Sequence, residues 1–447
     1  MASDTDALQY SDFWILDSDF MTDTLRHIRQ IADVDEVLAE AKAGPAAGPR
    51  PRINTHVHMP PNFSAFETVR QAVTTAARQE VTVLGAGNYY DYRPYTEFAD
   101  AAQESGVFPL FGTEVISLQR DLMEQGVRVN DPGNPGKTYV CGKGITRFQV
   151  PTPRAAQLLG TIRGHDSQRM ARVTEKMAEV FASHGLDAGL DADKVIDRVA
   201  ARHGCDRSTV VLQERHVALA FQEWLFDLVP EDRRAAALRS LFGAEAKVEP
   251  TDAVGIQNEL RTHLMKSGKS CFVPEQYVSL AEARELIWQL GGIDCYPVVA
   301  DMIPGGCEFE TPVSRLIETL GAQGFCMVEF ITVRNTVKVL TEYVTQLRKA
   351  SFVVTAGTEH NTLDLIPMEP VCKHGLPVPE ALKEIFWEGA CVLAAHQFLC
   401  AQGRRGFVDD QGRPNSRYRS AEDRIRAFHA IGSVVISRYF KQHRSTS

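Results

Sequence analysis

Two histidines separated by one residue, His56 and His58, close an apolar run that begins at Arg52. In a β-strand, residues i and i+2 face the same side. Two imidazoles placed this way can share one divalent cation. Acids stand at the ends of other apolar runs: Glu114 in GTEV, Asp301 in PVVADM and Glu359 in TAGTEHN, where His360 follows directly. Carboxylates and imidazoles together are the donor set of a catalytic divalent ion. His56, His58, Glu114, Asp301, Glu359 and His360 are therefore the candidate metal ligands, with Asp301 and Glu359 also candidate bases for a water. Each has a plainer reading: a satisfied histidine pair, a strand-end glutamate in an ion pair, a helix cap for Asp301, or a polar loop start for Glu359 and His360. Lys143, in CGKGITRF, and Arg147 just behind it suit a phosphate or carboxylate. Alternatively they pair with Glu114 or its neighbours. Lys143 is also a candidate catalytic group, and Tyr139 and Arg334 complete the substrate-binding candidates. Glu329 lies inside an apolar run, where a buried acid needs a partner.

These residues sit on seven β-rich segments that alternate with helical ones: 52–59, 80–89, 107–116, 138–145, 293–302, 325–334 and 352–361. Such alternation predicts parallel strands with helical crossovers. The weak polar alternation within the segments predicts a sheet buried on both faces, hence a closed α/β barrel. An open doubly wound sheet is the competitor, but no GxGxxG follows the first strand. In a barrel, segments ending in ligand-type residues bring them to one rim. Ser279 and Glu282 predict a capping box ahead of the fifth strand. The barrel is expected from residues 51–150 and 271–375. Residues 1–50 read as a helical extension and linker, 151–270 as a helical insertion, and 376–447 as C-terminal helices. The insertion is a lid or wall over the site, or else an oligomerisation element, which leaves a homo-oligomer open.

Composition narrows the class. The 447 residues carry a formal net charge of −9 and no dense basic run, so nucleic acid is not expected as the main partner. Nine scattered cysteines without a CxxC predict a reducing, cytoplasmic setting rather than a disulfide framework. The acidic start, MASDTDALQYSDF, has no apolar core of a signal peptide. No apolar stretch is long enough to predict a membrane span.

The order HxH, GxE, GGxxxxPVxA and GTEHN resembles the polymerase and histidinol phosphatase family over Arg52–Ile145 and Ser279–Asn361. The resemblance implies a seven-stranded, distorted TIM-like (β/α)7 barrel and hydrolysis of phosphoesters at a site of two or three metals. Several family ligands are replaced. Gly87-Asn88 stands where the family has Asp-His, Tyr139 where a fourth-strand histidine is expected, Asp301 at the fifth-strand histidine, and Glu359-His360-Asn361 at the closing Asp-x-His. The resemblance with these replacements implies one or two ions of Mn, Zn or Mg. The reading is a metal-dependent hydrolase of a small anionic substrate. The alternatives are a metal-dependent lyase or isomerase of a sugar acid, with the tyrosines 89, 90, 92 and 139 and Lys143 moving protons, and a non-catalytic barrel with a degenerate site.

Overall fold

The structure is a computed structural model, and it describes residues 23–302 and 307–446. Of the expected helical extension, the first 22 residues, the acidic start among them, lie outside the described residues. Eight strands form in the order β1 (Arg52–Val57), β2 (Val81–Ala86), β3 (Phe108–Leu118), β4 (Lys137–Lys143), β5 (Val278–Ser279), β6 (Ile293–Val298), β7 (Met327–Ile331) and β8 (Val353–Gly357). Seven of them run side by side as β1-β2-β3-β4-β6-β7-β8, while the two-residue β5 pairs with the far end of β3. The ends of this path meet. The His58 N–H donates to Glu359 O at 2.7 Å, and the Glu359 N–H to His56 O at 2.9 Å. A seven-stranded barrel flanked by helices results, and the strands are buried along nearly their whole length, as a sheet covered on both faces must be.

One expectation fails. The alternation of segments predicted parallel pairing throughout, but β4 is antiparallel to both β3 and β6. A parallel neighbour needs a crossover of a dozen or more residues, usually a helix across the sheet. Between Leu118 and Lys137 the chain forms only the short helix Arg120–Glu124 and turns back on itself, with the Gln119 N–H donating to Gly136 O at 2.9 Å. The reversal has a consequence for the site. The C-terminal end of β4 points away from the rim at which the parallel strands end. Cys141 is level with Glu114, and Lys143 is level with Gly112, deeper in the barrel.

The predicted capping box is present. Ser279 Oγ accepts the Glu282 N–H at 3.2 Å, and a Glu282 carboxylate oxygen accepts the Ser279 N–H at 2.8 Å. The helix it starts, Leu280–Gln289, packs its apolar face, Ala283, Leu286 and Ile287, against the barrel.

Residues 151–270 form helices with a hydrophobic core of their own. The helix Pro153–Ser183 joins the two cores. Its first turns bury Leu158, Leu159 and Ile162 against the barrel, and its later turns bury Met170, Val173, Met177 and Phe181 in the second core with Val217, Phe221 and Leu225. At the other side, the helix Glu380–Ala401 is apolar around most of its circumference, because the barrel covers one face and the helix Ala421–Thr446 another. Within it His396 is fully buried. Its Nδ1 accepts the Phe407 N–H and its Nε2 donates to Gly291 O, both at 3.0 Å. Burial, helped by the nearby Arg147 charge, outweighs the bond to Gly291 O and pushes its pKa down to about 4. A depressed histidine pKa gives stability that is present above the unfolded value near 6.5 and lost as pH falls through the folded value. The melting temperature is therefore expected to fall between pH 6.5 and 4. His396→Asn should melt lower at pH 7 and show a shallower fall, which a melting series across that range checks.

Candidate metal centre

His56, near the end of β1, is buried inside the barrel. Two glycines on the flanking strands leave the room. A Cβ at Gly87 would lie 2.4 Å from the His56 ring, and one at Gly357 would lie 2.4 Å from its Cβ. His58 follows the last strand residue and is held by its backbone bond to Glu359. Its ring stacks on Tyr89, with centroids 5.1 Å apart. Both rings turn towards β3. His56 Nε2 lies 3.4 Å and His58 Nε2 3.3 Å from the same oxygen, Glu114 Oε2. All three side chains are buried. His56 Nε2 and both ring nitrogens of His58 have no hydrogen-bond partner among the described residues. Buried polar atoms without partners are costly, and the two Nε2 atoms converging on one carboxylate oxygen fit a cation between them.

A second layer of residues fixes these three. Glu329, on β7, takes His56 Nδ1 at 2.7 Å, the Lys143 ammonium at 2.5 Å and the Thr55 hydroxyl at 3.1 Å. Lys143 also donates to Thr55 O at 3.1 Å. Nδ1 of His56 faces Glu329, so a cation at Nε2 would find the ring backed by a carboxylate, the usual support for a metal-binding histidine. Burial works against the charge on Glu329, but Lys143 and His56 prevail and hold its carboxyl down at about 2. Burial and Lys143 lower the His56 pKa, yet Glu329 and Glu114 outweigh them and raise it to about 9. Burial likewise opposes the charge on Glu114, and the two histidines keep it well below the usual carboxylate range. Tyr89 donates its hydroxyl proton to Glu114 Oε1 at 2.6 Å. Asn88 clamps the Met59 backbone, accepting its N–H and donating to its carbonyl, both at 2.8 Å, and so fixes the turn after His58.

Other candidates from the sequence go elsewhere. Lys143 is buried beneath the cluster and bound to Glu329, because β4 runs backwards, so it does not face the cavity. Arg147 donates to Trp288 O at 2.8 Å near His396, outside the cavity wall. Asp301 binds the N-cap residue of the helix Val337–Lys349 instead of facing the cluster: its carboxylate accepts the Thr336 N–H at 3.2 Å and the Thr336 hydroxyl at 2.7 Å. The chain turns at β8's end, where Glu359 and His360 have φ of 62° and 49°. His360 thereby leaves the cluster. Its Nδ1 meets the Thr358 hydroxyl at 2.7 Å and its Nε2 meets Ile366 O at 3.0 Å. Glu359 stays on the cavity wall, where Arg334 grips it with both guanidinium arms and Asn361 donates to it at 2.6 Å. Tyr139 also lines the wall.

Two of the three clustered side chains, His56 and Glu114, line a cavity of about 480 Å³. Its opposite wall comes from the helical insertion, through Asp166, Arg169, Glu214, Arg215, Arg261 and Lys266. The insertion is tied to the β1 loop by the Phe63 N–H, which donates to Gln213 Oε1 at 2.7 Å. Sequence reasoning found Glu329 as a buried acid in need of a partner but did not place it under His56. It missed Asn88 as a clamp and the insertion's arginines altogether. The lone acid within MVEFI was the available signal for Glu329. Nothing local marks the others.

No protein-family model and no curated protein matches the chain. Among solved structures, the chain is similar to a protein from Bifidobacterium adolescentis described as a metal-dependent phosphoesterase, with TM-score 0.49 and 14% identity, covering 76% of this chain and 96% of that one. It is also similar to an amidohydrolase from Chromobacterium violaceum, solved with sulfate and no metal, with TM-score 0.46 and 18% identity, covering 75% and 96%. No helix among the described residues is long and apolar enough to cross a membrane.

Proposed function

We propose that this chain is a metal-dependent hydrolase acting on a small anionic substrate, such as a phosphoester, in the cavity above His56, His58 and Glu114. One observation carries the reading: the Nε2 atoms of two buried histidines, neither with a hydrogen-bond partner among the described residues, converge on one carboxylate oxygen beside a cavity. His56, His58 and Glu114 would hold the cation, with Mn, Zn or Mg as the choices this mixed donor set allows. A divalent ion bound there supplies an acidified water and polarises the scissile group.

The protein groups divide the remaining work. Glu329 backs the His56 ring at Nδ1. Tyr89 orients the Glu114 carboxylate. Glu359, fixed by Arg334 and Asn361, is the wall carboxylate available to orient a water or accept its proton. Arg334 remains close enough to that carboxylate to meet an anionic group of the substrate. The roles first considered for Lys143 and Asp301 pass to structural support.

Elemental analysis of untreated protein is the test, combined with assay of a phosphoester panel before and after chelation. About one or two divalent ions per chain, and phosphate release that chelator abolishes and metal restores, are the expected results. Turnover that persists at full rate in metal-free protein would falsify the proposal. Product formed without incorporation of solvent oxygen points instead to lyase or isomerase chemistry.

A further inference from the structure

The helical insertion places four cationic side chains on the cavity wall: Arg169, Arg215, Arg261 and Lys266. Glu214 accounts for three of them. Its carboxylate lies 2.8 Å from Arg169, 2.6 Å from Lys266 and 3.6 Å from Arg261. Arg169 also reaches Glu275 at 3.3 Å. Arg215 is different. Among the described residues, no carboxylate forms an ion pair with it. Its guanidinium reaches only Asn258 Oδ1, at 3.5 Å, and lies 5.9 Å from the Phe63 ring centre. Beside it, Arg261 leaves a buried Nε without a partner. Burial and the neighbouring Arg261 push the Arg215 pKa down to about 10, so the group still carries its charge at neutral pH.

Glu359 acts on Arg215 only from a distance, and a half-buried guanidinium without an ion-pair partner is costly unless something binds it. Five N–H donors in a planar fork match the oxygens of a phosphoryl or carboxylate group. We propose that Arg215, with Arg261 beside it, forms an oxyanion-binding subsite through which the insertion selects substrates bearing a phosphoryl or carboxylate group. This assignment rests on the cavity being the active site of a metal-dependent hydrolase, yet the binding it predicts can be measured without turnover.

The test is thermal-shift titration of the full-length chain with inorganic phosphate and, separately, with acetate, in metal-loaded and chelated protein. Phosphate or acetate is expected to stabilise the wild-type chain in both states, and the better ion names the group the subsite takes. Arg215→Met is expected to weaken that binding about tenfold or more, the loss of a charge-assisted hydrogen bond. Arg215→Lys, which keeps the charge but not the fork, should lie between. The inference is overturned if neither ion binds the wild-type chain. It is equally overturned if Arg215→Met and Arg261→Met bind like wild type while chelation abolishes binding, because the anion then sits on the metal alone. Binding that is lost in Arg215→Met but unaffected in a chain shown to hold no metal keeps the subsite and refutes only the metal reading.

Discussion

Alanine at position 56 or 58 is expected to strip the divalent ion from the protein and bring phosphoester turnover to background, with the fold intact. Both rings are buried, and their Nε2 atoms lie 3.4 and 3.3 Å from Glu114 Oε2. Removing either leaves two ligands, too few to hold a catalytic ion that ordinarily has three protein donors. The mechanism also grades the variants. Glu329→Gln keeps a hydrogen-bond acceptor near His56 Nδ1 but loses the charge that makes the ring a better donor. Changes of this kind in the support of a metal ligand cost about 10–100-fold in metal affinity. Glu329→Gln should therefore bind metal weakly and recover activity at high metal concentration, whereas His56→Ala and His58→Ala should not recover. Tyr89→Phe removes one hydrogen bond to Glu114 and should have a smaller effect than either. Metal titration followed by activity, with circular dichroism as the folding control, checks this order. Equal metal content in wild type and His58→Ala would remove that histidine from the centre.

The meeting of His56, His58 and Glu114 was legible in the sequence because each depends on local rules. The two histidines share a face through the period of two in a strand, and Glu114 comes from β3, two strands along the barrel. The barrel was legible from alternation and apolar runs. Strand direction was not. An antiparallel β4 has the same apolar pattern as a parallel one, so Lys143 looked like a rim residue although it is buried level with Gly112. Asp301 and Thr336 are distant in sequence, and a carboxylate that binds the N-cap residue of a distant helix reads like one that ends a strand. Glu359 and His360 part company because the chain enters the left-handed region at both residues, which two non-glycine residues do not announce. Arg215 and Arg261 sit at helix ends in a charged segment, where a solvated position is the ordinary expectation. Only the packing of that segment over the barrel turns Arg215 and Arg261 towards the cavity.

The largest stability effect is expected at Lys143, a residue whose type suggested substrate binding. Methionine there removes the cation that balances Glu329, while the barrel around it stays closed. Breaking a buried pair from one side typically costs about 3–5 kcal/mol, because the remaining charge is left uncompensated. Lys143→Met should therefore lower the unfolding free energy by roughly that amount, and Glu329 should take up a proton, since the main group lowering its pKa is gone. Neutralising the partner relieves the problem. Lys143→Met combined with Glu329→Gln should recover much of the lost stability, because no isolated buried charge remains. The double variant should still bind metal poorly, since His56 has lost its anionic support. Stability and metal binding thus separate. A purely structural role for the pair predicts that both recover together, and a role for Lys143 in holding substrate predicts a raised KM in the single variant at unchanged stability. Denaturant unfolding of Lys143→Met, Glu329→Gln and the double variant, alongside their metal affinities, distinguishes these outcomes. An additive double variant, with no coupling between the two positions, would count against a buried pair under His56.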